Sequence, residues 1–261
     1  MSTLPSLRIE QGVPEGARSL IWQSFFIEAG RGTTFERHLP WYRDDAIRSI
    51  MVLDQDEVVA TAILRPAPQT GVAMIGYVCV DQSRRDQGIG RMLMDASNRV
   101  IDDQGFRAVL LWTGKPEVYT GRGYVAIHRD RLVRVTNCSE QAIDYDSIRV
   151  EEWPDSRETN GLPAFATHAA RYSSNRAMAV CAQGALGMTL MDWQGEAVDV
   201  AAVLSAVGHT DWAVNLTAAD PFVDALSSHG YITVESPGAF TMVRCRDIDF
   251  IPNNVPQIAR I

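Results

Sequence analysis

Two glycines one residue apart, Gly88 and Gly90, lie between a β-branched run that ends at Val80 and a long amphipathic segment. Glycine lets a backbone approach a ligand closely and adopt conformations that other residues avoid. The first turn of a helix presents N–H groups without intrahelical partners at the positive end of its dipole. Three arginines add positive charge here: Arg84, Arg85 and Arg91. The segment therefore predicts a binding site for an anion such as a diphosphate.

A tight turn without any ligand is the alternative interpretation of these glycines, because a single Gly-x-Gly is common. The surrounding residues disfavour two known nucleotide loops. No Gly-x-Gly-x-x-Gly fingerprint follows an opening strand, and no Gly-Lys-Ser/Thr sequence follows the glycines. Neither a dinucleotide-binding fold nor a Walker-type phosphate loop is indicated.

The segment Arg85-Asp86-Gln87-Gly88-Ile89-Gly90 resembles the signature of the GCN5-related N-acetyltransferase (GNAT) family. That signature is Arg/Gln-x-x-Gly-x-Gly/Ala after a strand that ends in Val-Asp. A second motif of the family matches in register at Tyr119-Thr120-Gly121-Arg122-Gly123-Tyr124. The resemblance covers roughly residues 7–135, and the order of predicted elements agrees with it.

The resemblance implies acetyl transfer from acetyl-coenzyme A (acetyl-CoA), as cosubstrate, to a primary amine of a small molecule by direct attack. It assigns Tyr119 as the general acid that protonates the departing thiolate, a role that suits a phenol un-ionised at neutral pH. Tyr119 could instead be a core tyrosine on a short helix. The residues that the resemblance assigns to the coenzyme are Val78, Cys79, Val80, Arg85, Asp86, Gln87, Gly88, Ile89, Gly90 and Thr113.

Two positions depart from the family pattern. Many members carry Asn seven residues before the Tyr, where this chain has Trp112, so one hydrogen bond to the coenzyme is missing or comes from Thr113. Histone-type members place Glu where this chain has Met74, which cannot act as a base. We assign no general base, and an ordered water could serve.

The elements that must position these residues follow from hydrophobic periodicity. The predicted strands are residues 7–10, 49–53, 58–64, 72–81, 108–112, 124–127 and 132–135, and the predicted helices are residues 15–29, 88–103 and 115–121. This order is mixed α/β, neither doubly wound nor an all-β sandwich. We expect a GNAT fold with a central mixed sheet flanked by helices.

The second half of the chain repeats the pattern of the first. Residues 75–81 parallel residues 186–192, and similar pairs follow in the same order along both halves. We infer an internal duplication, with a catalytic domain at residues 1–136 and a shortened, degenerate GNAT-like domain at residues 137–261. The copy lacks the Arg-x-x-Gly-x-Gly loop and has Leu226 at the place of Tyr119, so we expect no coenzyme site there.

Composition limits the partners. The chain has 261 residues, 46% hydrophobic and 21% charged, as expected for a globular protein. Residues 1–136 carry 17 basic and 16 acidic side chains, whereas residues 137–261 carry 7 and 16. An acidic half disfavours nucleic acid, and no apolar run is long enough to span a membrane. We expect a cytoplasmic protein, with a homodimer left open.

Metal binding and disulfides are not indicated. The four cysteines (Cys79, Cys138, Cys181 and Cys245) form no CxxC pair, and the histidines show no ligand spacing. We therefore expect no metal.

The second half has two candidate roles. It covers the open sheet edge of the first half, or it forms a wall of the acceptor site, where its net charge of −9 would favour a cationic amine. A non-catalytic acyl-CoA-binding sensor or regulatory module is the alternative function. The retained Tyr119 and the intact glycine turn favour the enzyme.

Overall fold

The computed structural model describes residues 5–137, 148–153, 161–217, 220–246, 250, 252–253, 255 and 257–261. Twelve strands form one sheet: β1 Ser6–Gln11, β2 Arg48–Asp54, β3 Glu57–Pro66, β4 Val72–Val80, β5 Ala108–Thr113, β6 Val125–Thr136, β7 Arg149–Glu152, β8 Ala166–Ser173, β9 Met178–Gly184, β10 Gly187–Gln194, β11 Asp211–Leu216 and β12 Ile232–Cys245. The α-helices are α1 Glu15–Trp22, α2 Phe35–His38, α3 Ile89–Asp103, α4 Glu117–Thr120, α5 Ala197–Ala206 and α6 Phe222–Ser228. The predicted mixed α/β fold is confirmed.

Strands β1 to β4 form an antiparallel meander. The hairpin between β2 and β3 turns through Gln55 and Asp56, both at positive φ (51° and 70°). Two residues at positive φ are typical of the type I′ turn, whose twist matches that of the flanking strands. Polar residues tolerant of this conformation therefore fix the register that buries β2 and β3.

The first helix departs from its predicted span of residues 15–29. It is α-helical only through Trp22 and continues as a π-helical turn over Gln23–Ile27. Such turns widen the helix locally and are common next to functional sites. The apolar spacing of this segment predicts a helix, which the structure contains, but periodicity does not reveal the change in hydrogen-bond pattern.

The order of strands across the sheet is β1-β2-β3-β4-β5-β12-β6-β11-β10-β9-β8-β7. The halves exchange their last strands: β12 pairs with β5 from the first half, and β6 pairs with β11 from the second. The two exchanged strands also pair with each other. The order is thus symmetric about the β12–β6 pair.

This exchange corrects one detail of the sequence prediction. The two short strands predicted at residues 124–127 and 132–135 are one continuous strand, β6, and residues 232–245 likewise form the single strand β12. Each strand stays continuous because it serves both halves of the sheet. Strand β12 has two register shifts, between Pro237 and Phe240 and between Thr241 and Met242, and both lie in its pairing with β6.

The exchanged strands also contribute to the cores of the opposite halves. Met242 of β12 is buried with α3 and the first-half strands, whereas Val133 and Val135 of β6 are buried with α5 and α6. The domain boundary predicted at residues 136/137 stays a prediction, since both ranges share one sheet and residues 138–147, with Cys138, lie outside the described residues.

An ion pair joins α3 to β12 across the two halves. Arg244 Nη1 and Nη2 donate to Asp102 Oδ1 and Oδ2, each at 2.9 Å. These hydrogen bonds hold the pKa of Asp102 below its ordinary value and raise that of Arg244. The bidentate geometry fixes the helix against the inserted strand.

We predict that Asp102→Asn lowers the free energy of unfolding by about 1 kcal/mol, because the pair is partly exposed and screened. Because folding lowers this pKa, the contribution is present above the unfolded value of about 3.9 and is lost as the pH falls through the folded value. Urea unfolding at pH 7 and pH 3 measures the effect, which should shrink at pH 3. Arg8→Gln, which breaks an exposed 3.8 Å pair with Glu10, is the control and should change little.

Candidate functional site

The site begins where β4 separates from β5. The two strands are parallel and pair only from Val72–Ala108 to Met74–Leu110. Against β3, the register shifts so that Tyr77 and Val78 stand opposite the single residue Ala62, which is a β-bulge. Beyond Met74, the β5-facing edge of β4 has no strand partner among the described residues. A gap therefore opens between two neighbouring strands.

The bulge contains an unusual backbone conformation. Tyr77 has a φ of 48°, in the left-handed region that non-glycine residues rarely adopt. Its ring packs edge-on against Phe25, with ring centroids 5.3 Å apart. Burial raises the pKa of Tyr77 to about 12, so the phenol stays neutral. Packing of a bulky ring thus holds the strained backbone that splits the strands.

The loop after β4 is built from short-range hydrogen bonds. Asp81 Oδ1 accepts from the Ser83 amide at 2.8 Å and from the Ser83 hydroxyl at 2.5 Å, and these bonds lower the pKa of Asp81. Arg84 pairs with Asp54 at 2.9 Å. Asp86 and Gly88 both have positive φ, 62° and 79°. The loop is therefore shaped by its own contacts before any ligand binds.

Helix α3 begins at Ile89 with Gly88 as its N-cap, and no side chain caps it. The amides of Gly88, Ile89, Gly90 and Arg91 have no acceptor in the part of the chain that the structure describes. Four free N–H groups at a helix N-terminus, with arginines nearby, can bind a diphosphate. The predicted anion site therefore has the geometry it needs.

A cleft of about 780 Å³ runs from this turn along the gap between β4 and β5. The predicted coenzyme residues that line it are Val78, Cys79, Val80, Arg85, Asp86, Gly90 and Thr113. Gly88 lines a shallow depression beside it, together with Arg91. The side chain of Ile89 is buried in the core, and Gln87 Nε2 donates to the Ser83 carbonyl at 3.2 Å, so these two can contribute through their main chain.

Two more of the predicted side chains, those of Arg85 and Thr113, already have hydrogen-bond partners, and the thiol of Cys79 is buried. Arg85 Nε donates to the Val80 carbonyl at 3.3 Å, a contact that the motif did not predict. Thr113 Oγ1 accepts from the Lys115 amide at 3.0 Å and retains its proton for a further hydrogen bond. Burial raises the pKa of the Cys79 thiol to about 12, so this cysteine packs in the wall and is not a nucleophile.

Tyr119 lies on α4 at the inner end of the cleft. Its ring is half-buried, 6.1 Å from that of Tyr124, and burial raises its pKa. No described residue makes a hydrogen bond to its hydroxyl. The phenol is therefore protonated at neutral pH and is available to donate a proton.

A second cavity, of about 480 Å³, adjoins the cleft and is formed by both halves of the chain. The first half contributes five aromatic residues: Phe25, Trp41, Tyr77, Trp112 and Tyr119. From the second half come Leu162, Phe165, Met191, Asn215, Gln257 and Arg260. The sequence offered the second half as a wall of the acceptor site, but no motif marks which of its residues lie there.

Helix α2 is fastened to the second half beside this cavity. His38 Nε2 accepts from the Thr33 amide at 3.0 Å, and its Nδ1 donates to the Leu162 carbonyl at 3.0 Å. The Leu162 amide in turn donates to the Arg37 carbonyl at 2.9 Å. Burial lowers the pKa of His38, which favours the neutral ring that these two bonds require. The histidine is a structural link rather than a free base.

The second half contains a reduced version of the same gap. Strands β10 and β11 pair only from Met188–Trp212 to Leu190–Val214, and β10 then bulges at Met191. Helix α5, however, begins after Glu196, with Asp199 in its first turn. These carboxylates repel phosphate. The cavity left there, about 190 Å³, is lined in part by Asp192, Asp220, Gln257 and Arg260.

Within the described residues, no group of three or more His, Cys, Asp or Glu side chains is placed to hold a metal ion. None of the described helices is long and apolar enough to cross a membrane.

Comparison with known proteins gives matches in family and in fold. The family model described as the acetyltransferase (GNAT) family matches residues 15–124. A GCN5-related N-acetyltransferase from Anabaena variabilis is 12% identical, with a TM-score of 0.64 over 93% of this chain and 74% of that one. One from Kribbella flavida is 15% identical (TM-score 0.62; 92% and 71%), and Eis1 from Mycobacterium abscessus is 14% identical (0.59; 94% and 74%). At these identities the structural likeness concerns the fold.

We predict that Gly88→Ala raises the dissociation constant for acetyl-CoA at least about tenfold, because a side chain would stand where the backbone must approach the diphosphate. The matched control is Gly105→Ala at the other end of α3. Both glycines have positive φ (79° and 73°) and open space around an added Cβ, so both variants share a strain of about 1–2 kcal/mol. Isothermal titration calorimetry measures binding; equal affinities in the two variants would contradict the assigned anion site.

Proposed function

Residues 15–124 match the GNAT acetyltransferase family, and from that premise we propose that this chain transfers an acetyl group from acetyl-CoA to a primary amine of a small molecule. The assignment of this chain to the acyltransferases rests on the family match of residues 15–124. The amine acceptor, the acetyl donor and the role of Tyr119 are the proposal.

The observation that carries this proposal is the position of Tyr119. It lines both the cleft that begins at the glycine turn and the cavity between the halves. Phe25, Val78 and Thr113 are also shared by the two. A thioester at the inner end of the cleft would therefore meet an acceptor entering from the cavity, with the phenol beside both.

The proposed reaction is a direct displacement. The amine nitrogen forms a bond to the acetyl carbon as the carbon–sulfur bond breaks, and the Tyr119 proton passes to the departing thiolate. The attacking amine loses a proton, for which we assign no base and propose water. Positioning of the two reactants in adjoining cavities supplies much of the rate enhancement.

The division of labour between the halves is also part of the proposal. Residues 1–136 would bind the coenzyme, and residues 137–261 would form a GNAT-like domain without a coenzyme site, since acidic residues flank the start of α5 and Leu226 is buried where Tyr119 has its counterpart. We further propose a cytoplasmic enzyme without nucleic-acid or membrane partners; a homodimer stays open.

A non-catalytic acyl-CoA-binding module is the alternative. Tyr119 favours the enzyme, since a binding module needs no proton donor at the junction of two cavities. Release of free thiol from acetyl-CoA, measured against a panel of amines, distinguishes the two. Binding without thiol release on any amine would support the alternative.

We predict that Tyr119→Phe lowers kcat about a hundredfold or more, the usual contribution of a general acid, and leaves the acetyl-CoA dissociation constant unchanged. Tyr124→Phe is the control, because that ring packs against Tyr119 while its hydroxyl contacts Asn98 at 3.4 Å, away from both cavities. Thiol release and calorimetry measure the two quantities. Equal turnover in Tyr119→Phe and the unmodified protein would remove Tyr119 from the mechanism.

A further inference from the structure

Building on the proposed function, we infer that the acceptor amine also carries a carboxylate, and that Arg260 binds this carboxylate in the cavity between the two halves. The acceptor is then a free amino acid or a similar small amine, with an apolar or aromatic body. Arg260 is the specificity-determining residue.

The charges on the cavity wall differ from the charge of the second half as a whole. Among the described residues that line the cavity, none is Asp or Glu, and Arg260 is the one arginine. His38 has both ring nitrogens engaged. The acidic side chains behind the net charge of −9 are therefore not on the described wall of this cavity, although Asp192 and Asp220 line the adjoining cavity that Arg260 also reaches. The main-chain oxygen of Ile261 lies against Gly76 on the same wall, and Arg260 is the wall side chain that can pair with an anionic group.

Arg260 is held in a fixed orientation by three contacts. Its Nη1 donates to Asp130 Oδ2, its Nε donates to the Val255 carbonyl at 3.1 Å, and its guanidinium carbon lies 4.9 Å from the ring centroid of Trp112. Its Nη2 has no hydrogen-bond partner in the described part of the chain. Because the guanidinium is planar and its Nε and Nη1 are engaged, Nη2 is the nitrogen left to donate to a ligand, in a fixed direction.

Asp130 is the positioning residue beneath this arginine. Its side chain is fully buried, and besides Arg260 it accepts a hydrogen bond from Asn215 Nδ2 at 2.7 Å. His128 Nε2 lies 3.3 Å from its other oxygen. A buried carboxylate is costly unless it is paired and hydrogen-bonded. These contacts therefore fix the position of the guanidinium at the cavity wall. Unlike a surface ion pair, this pair is shielded from solvent.

Two further wall residues have buried polar atoms without partners. Trp112 Nε1, a donor, and Gln257 Oε1, an acceptor, are both unsatisfied in the absence of ligand. Unsatisfied buried groups are rare in proteins and call for an explanation. Both atoms are shielded by the surrounding wall, so a carboxylate that accepts from Arg260 Nη2 would reach them only if the wall rearranged.

The other wall residues determine the size and polarity of the rest of the acceptor molecule. Phe25, Trp41, Tyr77 and Phe165 line the cavity with apolar surface. A volume of about 480 Å³ is in the ordinary range for a small-molecule site. An amino acid with a large apolar side chain satisfies both features.

The test compares amines that differ only in the carboxylate. L-Phenylalanine and phenethylamine form one pair, L-leucine and isoamylamine a second, and spermidine represents a polycation. We expect kcat/KM for thiol release to be at least about tenfold higher for each amino acid than for its decarboxylated partner, since a charged hydrogen bond discriminates at this level. In Arg260→Gln this ratio should fall close to one, through KM for the amino acid, with KM for acetyl-CoA unchanged.

Because Arg260→Gln leaves Asp130 buried without its partner, the double variant Asp130→Asn/Arg260→Gln removes both charges and protects the test against misfolding. It should show the same loss of discrimination. Arg129→Gln is the matched control: this neighbouring arginine donates to the Gly238 carbonyl at 3.1 Å and is not on the cavity wall. Its ratio should equal that of the unmodified protein.

Two results would overturn the inference: decarboxylated amines or spermidine reacting as well as the amino acids, or Arg260→Gln slowing both members of a pair equally. Acetyl-CoA binding without thiol release on any amino acid would also overturn it, and would leave the coenzyme site intact. Failure to bind acetyl-CoA, by contrast, would overturn the proposed function itself.

Discussion

The site depends on the early end of the β4–β5 pairing. Parallel strands in a continuous sheet satisfy each other's main-chain groups, yet here the ladder stops at Met74 and Leu110. The bulge at Tyr77 turns β4 away, and the ring of Tyr77, packed on Phe25, keeps it there. Unpaired main-chain groups in an open cleft bond to water or to a ligand. An extended ligand that ends in a diphosphate fits both the open edge and the free amides of the Gly88 turn.

Exchange of β6 and β12 makes the second half indispensable to the first. Strand β5 would be an open edge without β12, and six residue pairs join them. Met242 also belongs to the core beneath α3. A fragment of residues 1–136 would therefore lose a central strand, so point substitutions, and not deletion, can separate structural from functional roles of the second half.

How much the sequence could predict depends on how local the determinants are. The Gly88 turn is encoded within a few residues, and its positive φ is the reason glycine is needed there. Hydrophobic period likewise located β2, β3 and α3 to within a residue or two. The cavity wall was beyond reach, since Arg260 and Asp130 are 130 residues apart and meet only through the strand exchange. Strand β6 was split in the prediction because the first half does not reveal that its last strand also serves the second half.

The charge of the cavity wall was equally hard to predict from the sequence. The net charge of a half describes a long-range field, which steers encounter and decays over about 8 Å at physiological salt. Recognition inside a cavity depends on the few groups within hydrogen-bonding distance. Here the acidic excess lies elsewhere, while the described wall of the cavity carries Arg260. The carboxylate of Asp130, behind it, is buried and holds Arg260 by an ion pair, so it orients the guanidinium from beneath. An acidic domain can therefore form part of a pocket for an acidic molecule, provided that its carboxylates lie on the outer surface or are tied to cations.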